Sequence, residues 1–318
     1  MPQEVITLRE KRVLVTGANG FIGSHLCQAL SAQGAQTFGF VRKPRALELT
    51  LTEQHQVDVQ DRLLVKKMVQ DLHPEFVVHL AAVKNRSLDL AEYRAGYEGN
   101  LFGAINLIEA CQELTISPRF IFLGSCEEYG HNPVPFDETS RESPVSAYAA
   151  SKLAVTQLLQ TLARAIDFQA VILRPSIVYG PGQDTDMFLP ALIKSLVSGE
   201  SFPMTPGEQT RDYVYIDDVV DAILRVLTTS GLRGRVINIS SGIPVCNEDL
   251  AKNTAQLIGI EAVKLIGFGA RNYRPGEAMN YWADNSLALE LLGWMPCISL
   301  EDGLRRTISY FRGMKANG

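Results

Sequence analysis

The chain has 318 residues, 46% of them hydrophobic and 20% charged, with a formal net charge of −5. That balance suits a globular protein with an ample core and excludes a disordered or low-complexity chain. Mild acidity points away from nucleic acid as a partner, and no apolar run approaches the ~20 residues that cross a bilayer. Five cysteines, Cys27, Cys111, Cys126, Cys246 and Cys297, show no metal-ligand spacing. No metal site is expected, and a reduced compartment is. The stretch MPQEVITLREKR mixes charges and lacks an apolar signal core, so a cytoplasmic location is expected.

In chain order, RVLVTG (12–17) reads as a buried strand and FIGSHLCQALSAQGA (21–35) as the helix after it. QTFGFV (36–41), FVVHLAA (76–82), RFIFLGS (119–125) and AVILRPS (170–176) continue the strand series. Long helical patterns cover 95–114 and 146–166. Short apolar strands alternating with helices predict an α/β fold with a doubly wound parallel sheet of the Rossmann type. Beyond Pro175, Pro and Gly become frequent and shorter elements are expected. The division is therefore a dinucleotide-binding domain over 1–174 and a smaller C-terminal substrate-binding lobe over 175–318. A return to the main sheet is expected within about 211–240, ending at VINISSG (236–242).

The first strand runs into TGANGFIGSHL, where Gly17, Gly20 and Gly23 are spaced G-x-x-G-x-x-G. Glycine lets the backbone turn sharply and approach a pyrophosphate, which then meets the N–H groups and dipole of the following helix. Asn19, Phe21 and Ile22 complete the cofactor-contacting loop. An acid at the end of the second strand would hold the ribose hydroxyls of NAD. Here Val41 is followed by Arg42 and Lys43, then Arg45. Such bases pair with a 2′-phosphate, so NADP(H) is the expected cofactor. Asp58, followed by Val59, either bonds the adenine amine or caps a turn.

Tyr148 and Lys152 lie four apart in YAASK and share a helix face. A phenol with a pKa near ~10 is a poor base, and a neighbouring ammonium lowers that value. The pair can then move a proton to or from an alcohol oxygen. Ser125 ends a strand, where α/β folds place ligands, and its hydroxyl can hold a reacting carbonyl. His79, inside an apolar strand, reads as a core histidine.

These residues together resemble the extended short-chain dehydrogenase/reductase superfamily, in its nucleotide-sugar branch of epimerases and dehydratases. The resemblance rests on TGANGFIG, HLAA (79–82), Asn100-x-x-Gly103, GSCEEYG (124–130), YAASK, RPSIVYGPGQ (174–183), TRDYVYIDDV (210–219) and RPGEAMNYWAD (274–284). It implies a catalytic set of Ser125, Tyr148 and Lys152, with Lys152 also on the nicotinamide ribose. It implies that Leu80, Ala81, Ala82 and Asn100 belong to the cofactor site. Arg211 and Arg274 would bind the diphosphate of a nucleotide-diphosphate sugar, with Glu277 on its ribose. Tyr179 either stacks near that ligand or packs the core. Where relatives often carry a substrate-contacting Asn, this chain has Ile177. The resemblance also implies a homodimer through helices 95–114 and 146–166, although both could equally serve one subunit alone.

Three reactions compete. A 4,6-dehydratase needs an acid and a base beside the hydroxyl residue. Here Ser125-Cys126-Glu127 offers Glu127 as base and a thiol where relatives often have Asp. Glu128 reads as solvated or structural. A 4-epimerase typically carries the strand-end acid that Val41 replaces. A 4-ketoreductase needs exchangeable NADPH, and GSCEEYG resembles the GSSEEYG of GDP-4-keto-6-deoxymannose reductases. Reduction of a nucleotide-diphospho-4-keto-6-deoxyhexose is the favoured expectation, with GDP as the first nucleotide to test. A non-catalytic NADP-sensing protein is the alternative of another class.

Overall fold

Six strands lead the chain in a computed structural model that describes residues 7–44, 50–84, 88–274 and 276–316. They are β1 (Arg12–Thr16), β2 (Gln36–Val41), β3 (Glu53–Gln56), β4 (Phe76–His79), β5 (Arg119–Leu123) and β6 (Ala170–Pro175). Then follow β7 (Ile177–Tyr179), β8 (Phe202–Pro203), β9 (Thr210–Tyr215), β10 (Val236–Ile239), β11 (Pro244–Cys246), β12 (Ile266–Gly267) and β13 (Asn280–Tyr281). The main sheet has seven strands in the order β10-β6-β5-β4-β1-β2-β3, and every pair is parallel. The strand order reverses between β1 and β4, and such a switch point opens a ligand crevice at the carboxyl ends of the strands.

Continuous apolar strands give this sheet because both of its faces are covered. Alternate residues serve opposite cores: Val13, Val15, Ile121 and Leu123 pack on one side, Leu14, Phe120 and Phe122 on the other. The covering helices include α1 (Phe21–Ala32), α2 (Arg62–Leu72), α3 (Leu90–Gly96), α4 (Gly103–Gln112) and α5 (Ala147–Ala165). The expected single helix over 95–114 is interrupted. Residues Tyr97–Phe102 form a π-helical turn between α3 and α4. Its physical cause is tertiary: the buried Asn100 amide accepts from Val83 N–H at 2.7 Å and donates to the Val83 carbonyl at 3.1 Å.

The rest of the chain adds α6 (Phe188–Ser198), α7 (Ile216–Thr228), α8 (Asn247–Ile258), α9 (Ser286–Leu292) and α10 (Leu300–Ala316). Four of these run 11 to 17 residues, so the expected shortening holds for the strands and not for the helices. A second sheet has the order β11-β9-β13, with β7 also on β9, and β8 pairs with β12. β10 returns to the edge of the main sheet beside β6. Among the described residues no helix is long and apolar enough to cross a membrane.

Candidate functional site

The crevice at the end of β1 is shaped for a dinucleotide. Gly17 has φ +68°, and a Cβ there would lie 2.9 Å from the Ala81 nitrogen. A Cβ on Gly23 would lie 2.2 Å from the Gly17 carbonyl oxygen. Glycine is required at both positions for the loop to close this tightly. Gly20 caps α1 without a side-chain bond, and the first turn, opening with Phe21 and Ile22, holds no acid. The amide ends and dipole of α1 are thus left for an anion. Thr16 Oγ1 accepts from the N–H groups of Leu80 and Ala81 at 3.2 Å each, pinning the 80–82 loop beside the glycines. The cradle fits a nicotinamide dinucleotide.

At the end of β2, Arg42 and Lys43 are exposed and no carboxylate follows Val41. Asn19 joins this turn to the glycine loop through a 2.7 Å bond to the Lys43 carbonyl. Arg45 lies outside the described residues. Asp58 caps a turn by accepting from Gln60 N–H at 3.0 Å, while Val59 is buried and its carbonyl accepts from Asn106. Asn100 sits behind the 80–83 loop, its amide also donating to Ser151 Oγ at 2.8 Å. It ties that loop to α5.

Ser125, Tyr148 and Lys152 come from two neighbouring elements. Ser125 caps the 3₁₀ turn Cys126–Tyr129 after β5, its Oγ accepting from Glu127 N–H at 3.1 Å. Tyr148 and Lys152 lie on α5, which Ser146 caps by accepting from Ala149 N–H at 3.1 Å. The Lys152 ammonium donates to the Leu123 carbonyl at 2.7 Å and lies 5.8 Å from the centre of the Tyr148 ring. Burial pulls the lysine pKa down to about 8; the Glu128 carboxylate opposes that shift and Lys84 adds to it. An ammonium near neutrality, next to a half-buried phenol, is the arrangement that eases proton transfer by tyrosine.

The next three residues of the turn take different roles. Cys126 is fully buried and donates to the Arg174 carbonyl at 3.2 Å; burial foremost pushes its thiol well above its ordinary range. The sequence-level option that this thiol acts as an acid fails, because its proton is committed inward. Glu127 is half-buried beside Ser125. Glu128 is wholly buried, so it is structural and not solvated.

The C-terminal lobe brings Arg211 and Glu277 together as an ion pair. Arg274 is exposed, and its carbonyl accepts from Glu277 N–H at 3.0 Å. Tyr179 is a packing residue, edge-on to Tyr213 and Tyr215 with its hydroxyl on the Leu300 carbonyl. Ile177 packs against the cluster of Cys126, Tyr129, Phe136 and Tyr281. Tyr281 had no assigned role from sequence, although it lies inside the quoted RPGEAMNYWAD. On β13 it pairs with Arg211, and burial foremost raises its phenol, with Cys126, Glu127 and Tyr148 adding to the rise. It therefore links the strand that carries Arg211 to the turn after β5 and to α5. Among the described residues no group of three or more His, Cys, Asp or Glu is placed to hold a metal.

Known proteins resemble this chain over nearly its whole length. An uncharacterized UDP-glucose epimerase of Bacillus subtilis is 32% identical, aligned over 95% of this chain and 98% of its own. The human dTDP-D-glucose 4,6-dehydratase is 30% identical over 95% of this chain and 90% of its own. A crystal structure of a UDP-glucose 4-epimerase with UDP-glucose from Thermotoga maritima superposes with a TM-score of 0.88, at 29% identity, covering 95% of this chain and 99% of that one. Residues 13–240, from β1 through the glycine cradle and the YAASK helix to the end of β10, match the description "NAD dependent epimerase/dehydratase family", and the chain belongs to that family.

Proposed function

We propose that the protein reduces the C4 ketone of a nucleotide-diphospho-4-keto-6-deoxyhexose with NADPH. The observation that carries this reading is Cys126. The residue beside Ser125, where a dehydratase would use an acid, is a buried thiol bonded to the Arg174 carbonyl. The edge still holds a hydroxyl, a phenol and an ammonium beside Glu127, a set sufficient for carbonyl reduction. The exposed Arg42 and Lys43 support a 2′-phosphate and hence NADP(H).

When bound, the cofactor supplies the hydride for C4. Ser125 donates a hydrogen bond to the ketone oxygen. Tyr148 gives its phenolic proton to that oxygen as negative charge develops there. Lys152 stabilises the phenolate left behind until solvent reprotonates it. Arg211 and Arg274 meet the diphosphate, and Glu277, released from Arg211, meets the ribose. Ser125, Tyr148, Lys152 and Glu127 form the catalytic edge, with Glu127 as a substrate-contacting carboxylate.

The second reading is a 4,6-dehydratase or 4-epimerase. It is favoured by the names of the relatives and by Glu127, half-buried one residue beyond Cys126. A homodimer in the cytoplasm completes the proposal. Leu90 and Phe102 are 81% and 54% exposed on the α3–α4 face, and Ala154 and Leu158 are half-exposed on α5.

The test is a panel of GDP-, dTDP-, CDP- and UDP-linked 4-keto-6-deoxy sugars with NADPH, followed by cofactor oxidation. Oxidation with one of them is expected. Dehydration or isomerisation of a parent hexose, with no keto sugar reduced, would establish the second reading. Cofactor binding with no turnover of any kind would indicate a sensor.

A further inference from the structure

Glu128 is fully buried, and both of its carboxylate oxygens are engaged. Oε1 accepts from Ser125 N–H at 2.9 Å. Oε2 accepts from the Thr156 hydroxyl at 2.8 Å and from Arg174 Nε and Nη2 at 3.0 and 2.8 Å. These partners stand on the turn after β5, on α5 and on β6. Thr156 is one helical turn beyond Lys152 and two beyond Tyr148, so it lies on the same stripe. The residue before Ser125 is Gly124, where a Cβ would lie 2.4 Å from Glu128 Oε1. The strand end is thus shaped around this carboxylate. Capping Ser125 alone would not require burial, and pairing with Arg174 alone would not require contact with α5.

We propose that Glu128 is a positioning residue for the catalytic edge, its one carboxylate fixing the Ser125 turn to α5 and β6 and setting a negative charge near Lys152. This rests on the reading of Ser125, Tyr148 and Lys152 given above. The groups around Lys152 are Glu128 from the turn, Arg174 behind it on β6, His79 on β4, Lys84 in the loop after it, and Tyr148 on the same helix. Arg174 is shared with Glu142 at 2.7 Å, so the cluster of one guanidinium and two carboxylates is net negative. Glu128 is the neighbour that favours the charged lysine against burial and against Lys84. Burying a full ion pair at this cost is weak evidence for stability by itself, and fixing geometry is its better-attested use.

The test follows the Lys152 side-chain signal by NMR through a pH titration, assigned with Lys152→Met. The pH profile of NADPH-dependent turnover is measured alongside. Glu128→Gln is expected to move the Lys152 midpoint and the alkaline limb of turnover down by about one pH unit. Glu128→Asp keeps the charge but is one methylene short of its partners. It should restore the midpoint and still lose about tenfold or more in kcat, as small misplacements of catalytic groups do. A folded Glu128→Gln protein with an unmoved midpoint overturns the proposal, as does a Glu128→Asp protein with wild-type kcat. Should Glu128→Gln fail to fold, Glu128→Asp decides alone. Tyr148→Phe separates the two readings. Turnover retained there sinks the catalytic assignment, whereas turnover lost there with an unmoved midpoint in Glu128→Gln sinks only the role of Glu128.

Discussion

The side-chain amide of Asn19 donates to the main-chain carbonyl of Lys43 at 2.7 Å, so the glycine loop and the end of β2 are held in one register. The glycine loop and the basic turn are therefore neighbours. Replacing Val41 by Asp and Arg42 by Ala would place a ribose-binding carboxylate at the end of β2 and remove one of the two bases. Losing a charge-assisted bond to a 2′-phosphate costs about 1.5–3 kcal/mol, a factor of about ten or more. The preference for NADPH over NADH in kcat/KM is expected to fall by at least about that factor. Steady-state assays with both cofactors check it, and an unchanged ratio would remove these residues from cofactor choice.

Gly23→Ala tests the cradle by sterics alone. The added methyl would meet the Gly17 carbonyl oxygen at 2.2 Å, with backbone rather than a flexible side chain in the way. Overpacking of this kind costs about 1–3 kcal/mol. A lower melting temperature and loss of NADPH binding in a fluorescence titration are expected. Gly313→Ala is the control, since nothing lies within 4 Å of the new methyl. Helix propensity there should make it neutral or slightly stabilising, by up to about 1 kcal/mol.

The parts of this molecule that local pattern determines were legible in the sequence. β1, β5 and β6 are buried on both faces and read as unbroken apolar runs. Tyr148 and Lys152 were found by a four-residue spacing that only a helix turns into proximity. What was not legible depends on distant partners. The π turn exists because Asn100 reaches Val83. Cys126 is silenced by the carbonyl of Arg174, 48 residues away, and Arg211 meets Glu277 across 66 residues. Glu128 is the intermediate case. Its Ser-x-x-Glu spacing from Ser125 is a capping-box signal, but the burial that makes it structural is set by Arg174 and Thr156.

Tyr148→Phe removes one oxygen and leaves the ring. The 80–82 loop beside the glycine cradle is held by Thr16 Oγ1. Turnover is expected to fall by about 10²–10⁴-fold, the usual contribution of a positioned general acid. The dissociation constant for NADPH should stay within about threefold, a change of well under 1 kcal/mol. Parallel loss of binding and turnover would show the tyrosine to be structural.

Phe102→Glu addresses assembly. Phe102 is 54% exposed at the end of the π turn, next to α4, with Leu90 81% exposed on α3. A charge placed in a buried apolar contact is costly, whereas the same charge on a free surface is nearly neutral. Light scattering should find a dimer for the wild type and a monomer for Phe102→Glu with its fold intact by circular dichroism. A monomeric wild-type protein would show that this face is solvated.

His79 gives the acid limb of stability. The ring is buried between β1 and β5, its Nδ1 2.7 Å from Thr16 Oγ1, and its Nε2 has no hydrogen-bond partner among the described residues. Thr16 Oγ1 already accepts two N–H groups, so its proton goes to Nδ1 and the neutral ring carries its own on Nε2. Burial first, and the Lys152 charge second, hold the pKa at about 3 instead of 6.5. Between those values the unfolded chain binds a proton that the folded chain refuses. Stability therefore rises with pH across this window, is unaffected by His79 above it, and is lost as pH falls from about 6.5 toward 3. One proton corresponds to about 1.4 kcal/mol per pH unit. His79→Gln keeps an acceptor for Thr16 and cannot titrate, so its urea-unfolding free energy should fall less steeply on acidification by about that amount. Identical slopes for the two proteins would mean that the acid sensitivity comes from the carboxylates alone.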